Sequence, residues 1–528
     1  MPTQRDWSLA WRWLQISLIF SVFALDFAHG IWLGQHNIGF HPIYRLRQST
    51  AVAISRLRDP PAHGYLAYQS VIDALNRHGF AVFAGDSGQH LDRAGWEALF
   101  TDPARMDRAL QDAASVPIND QLEPQLIRDN ELAFADYIDI SFRLFGLHMS
   151  SLYYLYFSIL GTSCLLFLIE FRANSFLLFV LHIYLSGLFL LQNYVGEVDG
   201  MSTLANSRLF EALSLLPMIH IFALAWMQTP ITLARFGIVL IQGSFLAFLI
   251  DCRSTALWQM AAIVAVGIGV GLNTVWRNRA FRVVTTLNGW NGIWPAALAA
   301  VALGSHVALV DLTADARYEI EPKHHVVWHE VLMGILGASP KLQKEYLVKS
   351  HGISFLDDDA DIAVYRDLLA RNDTSSPVVV TINGRVSGLD PDANSNEWER
   401  LQRNFAFEII RKHPLEVLEG LNIKFLAQSN LFRDDGKMRF ANLRTSALLA
   451  VIGALFWFGA APRAPSMRSV LGGVASTLVI LVCAAAPVVV EPSILSVGTL
   501  LCWLMATWIG TAAVFLAWLR ALRDRMVM

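Results

Sequence analysis

Residues 151–169 read SLYYLYFSILGTSCLLFLI, a run without Asp, Glu, Lys or Arg, and residues 174–192 (NSFLLFVLHIYLSGLFLLQ) repeat the pattern just after Glu170 and Arg172. A hydrocarbon core of roughly 30 Å is crossed by a helix of about 20 apolar residues. Two such runs, separated by a few polar positions, make a soluble domain the wrong frame for this chain.

Working outward, about ten runs qualify by length and apolar continuity. They lie near 13–33, 151–169, 174–192, 211–228, 236–250, 256–276, 290–311, 444–460, 469–490 and 494–519. The whole 528-residue chain agrees, being 54% hydrophobic and 16% charged, against about 45–50% and about 25% for a soluble domain. The expected fold class is therefore an all-α polytopic membrane protein. Lysine and arginine in short loops mark the cytoplasmic side. Arg5, Arg12, Arg172, Arg235, Arg277, Arg279, Arg282, Arg463, Arg468 and Arg520 all fall on one side if both termini are inside. The first run, Trp13 to Phe27, lacks a small-residue cleavage site and contains Asp26, which predicts an uncleaved span.

This topology divides the chain into a membrane module at 1–311, an extracytoplasmic segment at 312–443 and C-terminal spans at 444–528. A long outer loop, 34–150, separates the first two spans. In the second outer segment, Ser376 to Arg385 predicts a strand running into an Asn383-Gly384 turn. Trp398 to Phe425 has helical periodicity with a kink at Pro414. That segment is thus a small α/β unit. The formal charge of −3 argues against a nucleic-acid partner. Cys164, Cys252, Cys483 and Cys502 give neither a disulfide framework nor a zinc ribbon. No internal repeat with interrupted helices is present, so the transporter pattern is missing.

The polar residues that need an account cluster toward the outer side. Arg58-Asp59-Pro60-Pro61 places an acid just beyond the first span. Asp59 fits either a helix cap ahead of proline or a general base at the membrane surface. Tyr65 and Tyr68 fit an interfacial belt or ring platforms for a sugar. Asp26 and His29 sit near the outer end of the first span, Asp251 and Arg253 at the outer end of the fifth, and Asp311 at that of the seventh. The stretch Asn193 to Met201 reads as a loop whose Glu197 and Asp199 present two carboxylates. It reads as a solvated loop or as a site for a hard divalent cation such as magnesium or manganese. Arg208 and Glu211, three apart on a helix, share a face. They fit an ordinary ion pair, or an Arg208 that grips phosphate with Glu211 fixing its guanidinium. His325 and His329 have the spacing of a helical zinc pair, but Val326 stands where the usual Glu would be. An acceptor-side surface is the plainer account of His329. Asp357 to Asp361 fits a helix start rather than a calcium loop, which needs a Gly and a terminal Glu.

Taken in order, these features resemble the GT-C superfamily of integral-membrane glycosyltransferases. The resemblance rests on the two long outer segments, on Asp59-Pro60-Pro61 followed by Tyr65 and by Leu75-Asn-Arg-His-Gly-Phe80, on Ile140 to Gly146 ahead of the second span, and on Phe407 to Pro414. It implies a sugar moved from a polyprenyl-phosphate donor to an envelope glycan or lipid acceptor. The expected setting is the outer face of a bacterial cytoplasmic membrane, with membrane lipid as surroundings. It also implies Asp59 as catalytic acid residue, with Asp26 as competitor because Asp59 stands far from the first span and lacks an adjacent second acid. Glu197 or Asp199 matches the second acid. Arg208, with Arg253 and Arg58, would hold the donor phosphate, and Tyr65 with His329 would face the acceptor. The alternative class is a flippase, exporter or polymerase-type membrane protein without transferase chemistry.

Overall fold

The structure is a computed structural model. It describes residues 4–36, 44–58, 64–78, 103–118, 125–126, 132–199, 208–278, 290–315, 327–346, 357–371, 375, 377–382, 385–389, 395–420, 479–484 and 497–527. The chain is predominantly helical. Six helices are long and apolar enough to cross a membrane, within Ala10–Trp32, Ser150–Phe171, Leu209–Trp226, Leu233–Cys252, Ser254–Leu272 and Trp294–Thr313, and two shorter apolar stretches lie at Ser175–Leu191 and Leu501–Ala512. These eight match eight of the ten runs in the sequence. Of the other two, 444–460 lies outside the described residues, and 469–490 does so except for 479–484, which is helical.

The membrane helices are α1 (Gln4–His36), α6 (Ser150–Phe171), α7 (Ser175–Asp199), α8 (Arg208–Trp226), α9 (Leu233–Cys252), α10 (Leu257–Asn278), α11 (Trp294–Thr313) and α16 (Val497–Val527). Helix α8 is the axis of the bundle and packs on α6, α9, α10, α11 and α16. Its sequence is apolar all round, the signature of a helix with no free face. Leu209, Phe210, Leu213, Leu216 and Leu224 are accordingly buried. Helix α11 is the opposite case: Val301, Leu309 and Leu312 point outward and are 63%, 59% and 84% exposed. Such a face fits a hydrocarbon surround rather than water, in keeping with helices long and apolar enough to cross a membrane.

Between α1 and α6 the chain forms α2 (Tyr44–Arg58), β1 (Leu66–Ala67), α3 (Gln69–Arg77), α4 (Pro103–Ser115), β2 (Gln125–Leu126) and α5 (Ala133–Phe145). Strands β1 and β2 pair antiparallel, Leu66 opposite Leu126. Ala51, Val52, Ala53 and Ile54 of α2 are fully buried, and α2 packs on α5, α4 and α3. These helices share one continuous apolar core with the membrane helices. Two His–Asp contacts tie α4 down: His78 to Asp112 at 3.0 Å and His148 to Asp107 at 3.0 Å.

A second core gathers α12 (Val327–Ala338), α13 (Pro340–Tyr346), α14 (Asp357–Arg371) and α15 (Ser395–Lys412) around Leu332, Leu336, Leu368, Trp398, Phe405 and Ile409. The strand expected within 376–385 forms as β3 (Val379–Ile382) and pairs antiparallel with β4 (Arg385–Leu389), with an irregularity between Val380 and Thr381, and the expected turn residues 383–384 lie outside the described residues. Helix α15 stops at Lys412 and helical geometry resumes at Pro414, the expected kink. Helix α14 begins at Asp357, on the acidic run expected to start a helix.

Candidate functional site

The amphipathic helix α5 builds the site. Phe134, Tyr137, Ile138, Ser141 and Phe142 turn into the core, which leaves Asp136, Asp139 and Arg143 on the other side, one turn apart. Helix α2 lies against α5 and delivers Arg56. The Arg56 guanidinium pairs with Asp136 Oδ1. Tyr65 donates its hydroxyl to Asp136 Oδ2 at 2.7 Å. The same guanidinium sits 4.4 Å above the Tyr65 ring, in cation–π range. Both oxygens of Asp136 are therefore engaged, and Arg56 is fixed by an anion on one side and a π face on another.

Tyr65 reaches this position through strain. Gly64 and Tyr65 both have positive φ, +49° and +66°. Gly64 tolerates that region, whereas for tyrosine it is an outlier that the surroundings must impose. They do so through the end of α11: Gly64 bridges Ala314, and the Asp315 N–H donates to the Gly64 carbonyl at 3.4 Å. Burial first, and then the charge of Asp136, push the Tyr65 phenol above its ordinary range. Its proton stays in place as the donor to Asp136.

One turn along, Arg143 Nε donates to Asp139 Oδ1 at 2.7 Å and a second Arg143 nitrogen donates to the Arg56 carbonyl at 3.0 Å. Asp139 Oδ2 has no hydrogen bond among the described residues. Burial raises the Asp139 carboxyl above the usual carboxylate value, against the opposing pull of Arg143 and Arg56. Beside this pair the outward apolar residues Ile140, Leu144 and Phe145 are 38%, 65% and 38% exposed, immediately before α6 begins. The site thus sets two carboxylates and two arginines against an apolar strip at the mouth of a membrane helix.

The residues expected from sequence are placed as follows. Tyr65 is buried and paired, so it is neither an exposed ring platform nor part of an interfacial belt. Arg58 donates to the Val116 carbonyl and so fastens α4 to α2. Asp59 and the two prolines lie outside the described residues. Asp26 lies six residues before the end of the apolar span Ala10–Trp32, as expected, but it is buried where α1 packs on α6 and α7 and does not face an open site. The loop expected from Asn193 is helical through Asp199, since nothing in Asn193-Tyr-Val-Gly-Glu-Val-Asp breaks α7. The side chains of Glu197, Asp199, Arg208 and His329 lie outside the described residues, as does His325.

Glu211 is not on a solvated face. It is 1% exposed, accepts from Trp258 Nε1 at 3.0 Å and from the Gly498 N–H at 3.2 Å, and its backbone carbonyl accepts from Gln259 at 2.8 Å. It joins α8, α10 and α16. Arg253 is nearly buried at the end of α9, and Asp251 contacts His306 of α11 at 3.0 Å. Among the described residues no three His, Cys, Asp or Glu side chains converge as metal ligands.

Asp136, Asp139 and Arg143 escaped the sequence reading. Their signal was present as an i, i+3, i+7 polar stripe within Ala133–Phe145, a stretch in which the Ile140 to Gly146 segment drew attention instead. What these observations define is a helical, multi-pass membrane protein with a charged cluster at one end of its bundle. Compared with family models, curated proteins and solved structures, the chain finds no match in any of the three.

Proposed function

We propose that the protein is a membrane glycosyltransferase that moves a sugar from a polyprenyl-phosphate donor to an envelope glycan or lipid. In this reading it acts on the outer face of a bacterial cytoplasmic membrane, crossing it about ten times with both termini inside. The observation that carries the reading is the Asp139–Arg143 pair beside Ile140, Leu144 and Phe145, supported from behind by Arg56, Asp136 and Tyr65. A lipid-borne sugar phosphate brings an apolar tail, an anionic group and a reacting carbon to one place at a membrane surface. This strip offers apolar surface, guanidinium and carboxylate in that order.

The chemistry asks for little more. An acceptor hydroxyl attacks the anomeric carbon, the bond from that carbon to the phosphate oxygen breaks, and the lipid phosphate leaves. Asp139, with one oxygen uncommitted and its carboxyl raised toward neutrality, takes the acceptor proton. Arg143 supports the charge that grows on the departing phosphate. Arg56 and Asp136 do not react; they fix the backbone and the guanidinium beside them. Asp59 follows Arg56 by three residues and remains the alternative base.

The test is a comparison of envelope lipids and glycans, by mass spectrometry, between cells with and without the protein. Complementation by wild type should restore one glycosylated species that Asp139→Asn does not restore and Arg143→Gln restores only in part, with membrane levels of the variants unchanged. Full restoration by both variants overturns the reading.

A further inference from the structure

Among the described residues, Asp26 is a carboxyl that the site does not use and whose two oxygens the packing leaves without partners. It is fully buried, neither oxygen has a hydrogen-bond partner among the described residues, and neither presents surface that a water molecule could touch. Helix α1 packs on α6 and α7. The contact is tight around the acid: Phe23 and Phe27 meet Phe157 edge-on, and the Phe23 ring also lies over Gly161. One turn on, His29 is stacked on Trp32 and meets Phe189.

The ionisable groups on the two facing helices can be named in full for the described side chains. Helix α6 carries Tyr153, Tyr154, Tyr156, Cys164 and Glu170, and α7 carries His182 and Tyr184. Cys164 and Tyr184 are close enough to sense the charge of Asp26. Tyr184 gives its hydroxyl proton to the Ala212 carbonyl at 3.0 Å, and Glu170 is paired with Arg235 at 2.8 Å. Neither α6 nor α7 contains a lysine or an arginine anywhere in its length. The cations of α1 itself, Arg5 and Arg12, lie 14 or more residues back, about 21 Å along a helix.

Among the described residues a bare carboxylate in such a place finds no counter-charge and no donor, its oxygens present no surface to solvent, and an isolated buried ion is far costlier than the whole margin of folding. A metal cation would need several oxygen ligands, and the neighbours in range offer a thiol and a hydroxyl already donating elsewhere. We propose that Asp26 is a proton-binding site inside the membrane: its carboxyl is held as the neutral acid, and that proton is the ligand that lets α1 dock on α6 and α7. The inference stands on the packing of α1 alone and does not depend on the glycosyltransferase reading. It also removes Asp26 from the choice of general bases, because a protonated carboxyl cannot accept a proton.

Infrared difference spectroscopy on the full-length protein in lipid vesicles at pH 7 tests this. The wild-type minus Asp26→Asn spectrum should contain the carbonyl stretch of a carboxylic acid, above the amide band, and that band should move to lower frequency in deuterated water. Asp26→Glu should shift the band and not abolish it. The Asn variant, neutral and of the same size, should melt within a few degrees of wild type. Loss of a carboxylate band in place of an acid band overturns the proposal. So does a folded Asn variant with no acid band in the difference, or an Asn variant that loses α1 packing while the Glu variant keeps it.

Discussion

Tyr65 and Asp136, 71 residues apart in the chain, are joined by a 2.7 Å hydrogen bond that ties the strained turn after α2 to the helix leading into the membrane. The bond ends on the same carboxylate that holds Arg56. A second contact, Arg143 to the Arg56 carbonyl, ties the Asp139–Arg143 pair to the same end of α2.

Tyr65→Phe removes the donor and keeps the ring under Arg56. A hydrogen bond to a charged group is worth about 1.5–3 kcal/mol, so chemical or thermal melting should report a loss at the lower end of that range. Asp136→Ala should be worse, since it leaves the half-buried Arg56 without its anion. If the two variants melt alike, the tyrosine bond and not the ion pair carries the site.

Gly64→Ala tests the turn. A Cβ there would run into the Asp315 nitrogen, the Thr313 carbonyl oxygen and the Ala314 carbonyl carbon, all of them backbone atoms that cannot swing aside. Strain from the positive φ adds to the clash. A loss of more than about 2 kcal/mol is expected, together with loosening of residues 313–315 in hydrogen exchange. An unchanged stability would mean that α11 does not hold the turn.

Asp139 should set the acid side of the pH profile. Its carboxyl is raised by burial and lowered by Arg143, so ionisation, and with it transfer, should begin above the pH expected for an ordinary aspartate. Arg143→Gln removes the lowering partner and should push that acid limb to still higher pH. In stability the sign is opposite: the folded state binds the extra proton between the ordinary and the raised value, so this group's contribution declines as pH rises through that window. A limb that moves down in the Gln variant would exclude Asp139 as the base.

Glu211 should prove structural and sensitive. Glu211→Ala leaves the indole N–H of Trp258 and the Gly498 N–H buried without an acceptor, a loss of about 3 kcal/mol or more. Gly498→Ala should fail for a different reason, because its Cβ would lie 2.5 Å from Glu211 Cγ and 2.8 Å from the Glu211 carbonyl oxygen. Protease resistance of α16 relative to the rest of the protein reads both. Retention of wild-type resistance in either variant would show that α16 is held by other contacts.

The membrane helices were legible in the chain itself, because length and the absence of charge are local properties: 151–169 and 236–250 need no partner to be recognised. So were the strand within 376–385, seen as β3, and the break at Pro414. The bounds of α7 were not, since Asn193 to Asp199 looks polar enough for a loop and continues as helix where no residue stops it.

The site divides in the same way. Sequence pointed to Arg58, Asp59 and Tyr65; the structure pairs Tyr65 with Asp136 beside Arg56, and Asp59 lies outside the described residues. Sequence could not show that the anion of Arg56 and Tyr65 is Asp136, 80 residues from Arg56, nor that Glu211 faces inward while Asp139 keeps a free oxygen. The apolar period of α5 names its buried face and the all-round apolar sequence of α8 names a helix with none free, but carboxylates on such helices acquire roles only from what packs against them. Which acid meets an arginine, an indole or nothing at all is decided by contacts between segments far apart in the chain. Those contacts exist only once the helices are assembled.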